Sequence, residues 1–365
     1  MHDVLIVGAG LTGVVCAERI ASAGGKVLII DKRNHIGGNC YDYREKGVTI
    51  HKYGPHVFHT NSKTVWDYLS RFTAWQPFMY EVLACVDGIL IPIPFNFNSL
   101  YMVFPPQMAA GLEQRLTEAF EYGQKVPISD LMTANPDLAF LSDYIYEKIF
   151  KHYTLKQWGM GLDELDPSIG GRVPVSISRD NRYFTDTYQA IPQQGYTAMI
   201  MNIANHPNIT LQLNTDFAEI KDNGRYAKLI YTGSIDEFFA YKYGQLPYRS
   251  LRFDFVAYEQ PYYQCGPQVN YPCNYDFTRI AEYKYYLNEQ SDSTIVSFEY
   301  PEQFVPGANE RYYPIIKAEN QALYEKYLAE AAALKDTYFL GRLGDYKYYN
   351  MDQAVERALA LFNKL

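Results

Sequence analysis

The chain has 365 residues, of which 48% are hydrophobic and 20% charged, and its net charge is −8. That length exceeds one simple core and suits two or three domains. The acidic balance argues against bulk binding to nucleic acid or to an anionic membrane. Aromatic residues reach 16%, with 35 Tyr, which suits either cores and strands or a site for nucleotides and sugars.

No basic segment with an apolar run opens the chain, and Val4–Val7 already reads as a short buried strand, so no signal peptide is expected. Residues 11–23 read as a helix and 26–30 as a second strand, giving a βαβ opening. A helix is expected over 64–71, then two strands around the turn Asp87-Gly88, followed by breaks at Pro92, Pro94, Pro105 and Pro106. From about 106 to 157 apolar residues recur at three- and four-residue spacing. Helices are predicted over 108–122 and 138–153, separated by Pro136, with Asn135 or Asp137 available as a cap. This reads as a small helical domain inserted into the chain. Residues 159–186 are rich in Gly, Pro, Ser and Arg and read as a mobile loop around Gly170-Gly171.

A helix over 197–205 and a strand over 209–213 follow. Between 228 and 299 short strands rich in Tyr and Phe predict antiparallel sheet. A helix over 320–334, a strand over 338–340 and a last helix over 353–362 close the chain. No apolar stretch approaches the ~20 residues of a membrane span. Five cysteines (Cys16, Cys40, Cys85, Cys265, Cys273) without a C-x-x-C pair disfavour a disulfide or metal framework and suit a reducing cytoplasm.

The strongest motif is Gly8-Ala9-Gly10-Leu11-Thr12-Gly13. It follows a strand and opens a helix, the context in which G-x-G-x-x-G acquires meaning. Its glycines permit a tight turn, close approach of a pyrophosphate and close helix–strand packing. The helix N-terminus then presents amides and a positive dipole end to the phosphates. Asp31 ends the second strand, placed for a ribose hydroxyl. The continuation Asp31-Lys32-Arg33 to Gly37-Gly38-Asn39 resembles the FAD fingerprint of glutathione-reductase and amine-oxidase proteins. Near the C-terminus a strand enters Gly341-Arg342-Leu343-Gly344, and a helix begins near Asp352, whose N-terminus could face a flavin ring. No second G-x-G-x-x-G lies between a strand and a helix; Gly159-Met160-Gly161 lacks the third glycine. No NAD(P)H domain is therefore expected.

Three further clusters are Tyr53-Gly54-Pro55-His56-Val57-Phe58-His59-Thr60, then Tyr153-Thr154-Leu155-Lys156-Gln157-Trp158-Gly159 with Arg172 following, and Phe277-Thr278-Arg279-Ile280. Alone, Tyr153 and Trp158 read as core residues and His56 as a hydrogen-bonded core histidine. Metal binding by His51, His56 and His59 is disfavoured, because no carboxylate or cysteine accompanies them at suitable spacing. Together with the Gly341–Gly344 stretch and Tyr346-Lys347-Tyr348, these clusters resemble the UDP-galactopyranose mutase family over residues 3 to 360. A related enzyme acting on UDP-N-acetylgalactosamine shares the motifs.

The resemblance implies an α/β fold: a doubly wound, Rossmann-like FAD-binding domain, an inserted helical domain and an antiparallel β-sheet domain. The FAD domain is expected over 1–75, 190–228 and 335–365, the helical domain over 100–165, and the sheet domain over 76–99, 166–189 and 229–334. The implied activity is an isomerisation of UDP-galactopyranose and UDP-galactofuranose by covalent catalysis through N5 of reduced FAD, with Arg172 and Arg279 stabilising the diphosphate.

The resemblance implies Arg172, Arg279 and His56 as catalytic. It implies Tyr153, Thr154, Trp158, Tyr183, Tyr313 and Tyr348 for the UDP-sugar. For FAD the candidates are Gly8, Gly10, Leu11, Thr12, Gly13, Asp31, Lys32, Gly38 and Asn39, then His56, Phe217, Gly341, Arg342, Tyr348, Asn350 and Met351. Gly170-Gly171 would hinge a loop over the substrate. Arg179 and Arg182 read as solvent-exposed. A homodimer is one candidate assembly, and the expected location is cytoplasmic. Phe277, Asn350, Tyr80 and Gln189-Ala190-Ile191-Pro192 depart from the family pattern and leave sugar specificity open. Three alternatives stand beside the leading reading: the N-acetylgalactosamine mutase, a flavin amine oxidase-like oxidoreductase, and a non-catalytic flavin- or UDP-binding module.

Overall fold

Val4–Val7 (β1), Leu11–Ser22 (α1) and Val27–Ile30 (β2) form the opening βαβ unit in the computed structural model, which describes residues 2–161, 174–221 and 226–365. The chain divides into two compact units: Met1–Phe78 with Asp186–Arg249 and Phe304–Leu365, and Met79–Thr185 with Ser250–Gln303.

The core of the first unit is a parallel sheet. To β1 and β2 it adds Ile209–Gln212 (β3), Lys228–Tyr231 (β4) and Thr337–Phe339 (β5), in the order β3-β2-β1-β4-β5. β1 pairs in register with both neighbours, Val4 opposite Val27 on one side and Lys228 on the other. The chain therefore leaves β1 in one direction and returns on its other flank. That reversal opens a crevice at the carboxyl ends of β1 and β4, where doubly wound sheets bind ligands. The closing helix Met351–Phe362 (α2) packs on α1, and Cys16 of α1 faces the Ala358 carbonyl of α2.

The expectation of antiparallel pairing from 228 onward fails at β4, which is parallel to β1 and β5. Its last three residues, Leu229, Ile230 and Tyr231, are all buried. A continuous apolar run is the mark of a strand covered on both faces.

The second unit is built on a largely antiparallel sheet. Its neighbouring strands run Tyr248–Tyr258 (the residues from Ser250), Thr294–Gln303, Arg279–Glu282, Gln268–Asn270, Val82–Val86 and Ile89–Ile93. The pairing of Gln268–Asn270 with Val82–Val86 is parallel.

Its helical part differs from the expected pair of helices. The second one divides into Ala139–Ile145, a π-helical stretch Tyr146–Lys151, and His152–Trp158. Leu141, Ile145, Ile149 and Phe150 are buried, so the wider π turn places two adjacent residues, Ile149 and Phe150, in the core. Asn135 does accept a backbone hydrogen bond from Asp137. The helix Phe97–Val103, not anticipated from the prolines around it, starts at Asn96, whose side chain accepts from the amides of Asn98 and Ser99. Among the described residues no helix is long and apolar enough to cross a membrane.

Candidate active site

The glycines after β1 are fixed by sterics. Gly8 has φ +108°, and a Cβ there would lie 2.0 Å from the Thr232 hydroxyl. A Cβ on Gly13 would lie 2.0 Å from the Gly8 carbonyl oxygen, so α1 can start only with glycine at this position. Asp31 follows β2 and accepts from the Ala9 amide (2.8 Å) and the Arg33 amide (2.9 Å), bracing the loop from beside it. The first turn of α1 carries no acidic residue, which leaves its positive end for an anion.

A cavity of about 600 Å³ opens at this point, lined by Gly8, Gly10, Leu11, Thr12, Asp31 and Lys32. Gly38 and Asn39 form a second wall, where Gly37 donates to the Ala9 carbonyl at 2.8 Å. Phe217 lies on the wall as well. The far end of the chain closes the cavity with Gly341, Arg342, Asn350 and Met351. Gly341 has φ +88°, and a Cβ there would lie 3.3 Å from the Thr12 hydroxyl, so the two distant segments meet closely. Asn350 precedes α2, and its amide donates to Gln353 Oε1 at 2.9 Å. Two helix N-termini thus face one cavity. Its size, its amide donors and its glycine floor fit a dinucleotide.

Arg342 carries more than charge. Its guanidinium lies 5.2 Å from the Tyr348 ring and 5.9 Å from the Tyr313 ring, and these two rings stack 5.4 Å apart. It also donates to the Tyr349 carbonyl at 2.8 Å. Tyr348 is not among the cavity-lining residues; it reaches the site through Arg342. Gly13 does not line the cavity either, and acts by letting α1 approach Gly8.

In the second unit Arg279 stands opposite Glu299 on one side and Asn270 on the other. Its Nε and Nη2 lie 2.7 and 2.6 Å from Glu299 Oε2. Glu299 is 1% exposed and also accepts from the Thr278 hydroxyl at 3.1 Å. The guanidinium plane is therefore held rigidly on the sheet face. Tyr80 is buried and donates to Gln268 Oε1 at 2.6 Å, and Gln268 donates to Asn270 at 2.8 Å. Burial pushes the Tyr80 phenol well above its ordinary pKa. Tyr183 meets the Tyr80 ring edge to face at 6.0 Å. Tyr153, Thr154 and Trp158 lie on the helix His152–Trp158, the last two buried. Arg172 and the Gly170-Gly171 pair lie outside the described residues.

A sequence profile described as UDP-galactopyranose mutase matches residues 148–348, more than half of the chain. The chain belongs to the UDP-galactopyranose mutase family. A second profile, an NAD(P)-binding Rossmann-like domain, matches residues 6–72. A Klebsiella pneumoniae protein named as a probable UDP-galactopyranose mutase is 38% identical, over 98% of this chain and 93% of its own. An Escherichia coli dTDP-fucopyranose mutase is 31% identical, over 98% and 97%. A crystal structure of reduced UDP-galactopyranose mutase superposes with a TM-score of 0.75, at 18% identity, over 100% of this chain and 93% of that one; it supports the fold.

Several residues around the mutase-family cavity escaped the sequence reading. Arg33 donates to Asn39 (3.1 Å) and Glu310 (2.7 Å), with its guanidinium 4.5 Å from the Tyr53 ring. Arg311 lines the same cavity, donates to Glu237 at 2.7 Å and packs on Phe304. Thr232 joins β4 to β1 by donating from both its amide and its hydroxyl to the Val7 carbonyl. Arg33 had a signal, its place in Asp31-Lys32-Arg33. The other residues come from remote segments without a motif.

His56 lines the cavity with its Nδ1 2.7 Å from the Gly54 carbonyl, an acceptor, so Nδ1 carries a proton. Its amide donates to Nδ1 of His51 at 3.0 Å, which requires neutral His51 with its proton on Nε2. Burial lowers the His51 pKa from 6.5 to about 3. The unfolded chain therefore binds the proton first as pH falls. Stability from this group is complete above pH 6.5 and is lost between 6.5 and about 3. Chemical denaturation at successive pH values should show a contribution of about 1.4 kcal/mol per pH unit in this window that His51→Gln removes. Equal slopes in the two proteins would contradict a neutral buried His51.

Proposed function

We propose that this chain interconverts the pyranose and furanose forms of UDP-galactose without net redox change, with reduced FAD as its cofactor. The observation that carries the reading is one cavity shared by a dinucleotide cradle, a second helix N-terminus and the Arg342 stack, in a member of this family. FAD is favoured over NAD because Gly37 and Gly38, which continue the Asp31-Lys32-Arg33 run that resembles the FAD fingerprint, line the same cavity.

Bound and reduced, FAD would supply a nucleophilic nitrogen, N5, for covalent catalysis at the anomeric carbon. The chain's residues do the rest. Amides at Gly10 to Thr12 and the α1 dipole bind the pyrophosphate. Asp31 and Lys32 take the ribose end. Gly13 keeps the cradle closed, Gly38, Asn39 and Phe217 wall the cavity, and Gly341, Arg342, His56, Asn350 and Met351 bound the ring end. Arg279, with its plane held by Glu299, and Arg172 oppose the charge that builds on the departing diphosphate. Tyr153, Thr154 and Trp158 serve the uridine, and Tyr183, Tyr313 and Tyr348 the diphosphate or sugar.

A second reading keeps the reaction and changes the nucleotide sugar. It is supported by the dTDP-fucopyranose mutase relative and by the buried Tyr80 beside Gln268. The deciding experiment incubates the anaerobic protein, with and without dithionite, with UDP-galactofuranose, and resolves the products by chromatography. Pyranose product is expected only from reduced protein, without stoichiometric loss of reductant. UDP-N-acetylgalactosamine and dTDP-fucose in their furanose forms, run in parallel, assign the sugar. Steady oxygen uptake with an amine would replace the proposal by an oxidase, and UDP binding without turnover of any sugar by a binding module.

A further inference from the structure

The loop 271–278 joins strand Gln268–Asn270 to strand Arg279–Glu282 and so ends on Arg279. The Tyr271 amide donates to the Thr278 carbonyl at 2.8 Å and closes the loop's neck, and Asn274 turns it at φ +68°. Three of its carbonyls point inward, those of Tyr271, Tyr275 and Phe277. They converge on one atom, Nζ of Lys156, at 2.5, 2.9 and 3.1 Å. An ammonium has three N–H donors, enough to serve all three carbonyls. Converging carbonyl dipoles repel one another unless a cation sits between them, and here the Lys156 ammonium supplies it.

Lys156 belongs to the helix His152–Trp158, between Thr154 and Trp158. One ammonium therefore joins the helix that carries the proposed uridine residues to the loop that delivers the proposed diphosphate residue. We propose that Lys156 is a positioning residue that sets the spacing between the uridine-binding helix and Arg279, and through it the affinity for the nucleotide part of the substrate. This rests on the function proposed above. The lysine is half-buried, and burial lowers its pKa to about 8, with Cys273 and Asp276 acting in the opposite sense. It remains mostly protonated at pH 7.

A purely structural role predicts lower stability and unchanged binding by the protein that remains folded. A positioning role predicts a selective loss of nucleotide affinity. The test compares wild type, Lys156→Met and Lys156→Arg as flavin-loaded proteins, measuring UDP affinity by calorimetry and steady-state kinetics with the nucleotide sugar. Lys156→Met should raise the Kd for UDP and KM about tenfold or more, with kcat and flavin content within about threefold of wild type. Lys156→Arg, which keeps the charge and several donors, should recover part of the affinity. Should Lys156→Met not fold, Lys156→Gln takes its place, and wild-type UDP affinity in that folded variant overturns the proposal. So does a folded Met variant with wild-type Kd. Wild type that binds no UDP would sink the proposed function as well, which separates the two failures.

Discussion

Arg279→Ala is expected to reduce kcat/KM by about 10²–10³-fold, the usual effect of removing one fixed donor from developing negative charge. The same change leaves Glu299, 1% exposed, without the guanidinium that holds it at 2.6 and 2.7 Å. Removing one partner of a buried pair costs about 3–5 kcal/mol, and the residual exposure of Arg279 places this case at the lower end. Arg279→Ala combined with Glu299→Gln should recover most of that stability, because Gln keeps an acceptor for the Thr278 hydroxyl and carries no charge. It should recover none of the turnover. Arg279→Lys keeps the charge without the planar fork and should stay well below wild type. The measurements are denaturant melts and kcat/KM at a temperature where every variant is folded. Wild-type kcat/KM in folded Arg279→Ala would remove the arginine from the reaction.

Gly13→Ala is expected to abolish cofactor binding. The new Cβ would sit 2.0 Å from the Gly8 carbonyl oxygen and 3.2 Å from its carbon, both backbone atoms at the floor of the cavity. Neither α1 nor the Gly8 turn can move away cheaply, since Gly8 is already confined by Thr232. Overpacking costs about 1–3 kcal/mol where side chains can adjust, and here the adjustment must come from the cradle itself. The purified variant should lack visible flavin absorbance and should not regain it in excess FAD. Gly24→Ala provides a control. That glycine has positive φ and nothing within 4 Å of an added Cβ, so its substitution should cost some stability and keep the cofactor. Stoichiometric flavin in Gly13→Ala would mean that the cofactor does not use this turn.

Arg279 and Gly13 mark the boundary between what is local in sequence and what is not. The cradle was legible because every element of it is local. β1, the glycine turn, α1, β2 and Asp31 follow one another within 31 residues, and the steric demand of Gly13 falls on Gly8 in the same segment. The closing strand β5, Gly341 and the start of α2 were legible for the same reason: glycine at positive φ and a strand-to-helix change are written in a few adjacent residues. The motif residues of the second unit were legible as a pattern of residue types.

Partners and direction were decided by tertiary structure alone. Nothing adjacent to Arg279 in the chain announces Glu299, because the pairing depends on the register of two strands twenty residues apart. Nothing near Lys156 announces the three carbonyls more than a hundred residues later. The parallel direction of β4 follows from which strands it lies between, and its own four residues fit either direction. Thr232, Glu310 and Arg311 reach the cavity from segments that share no motif. A sequence specifies backbone geometry over a few residues through sterics and propensity. Pairing across long separations is set by which arrangement buries the apolar strands together and leaves the fewest polar groups unmet.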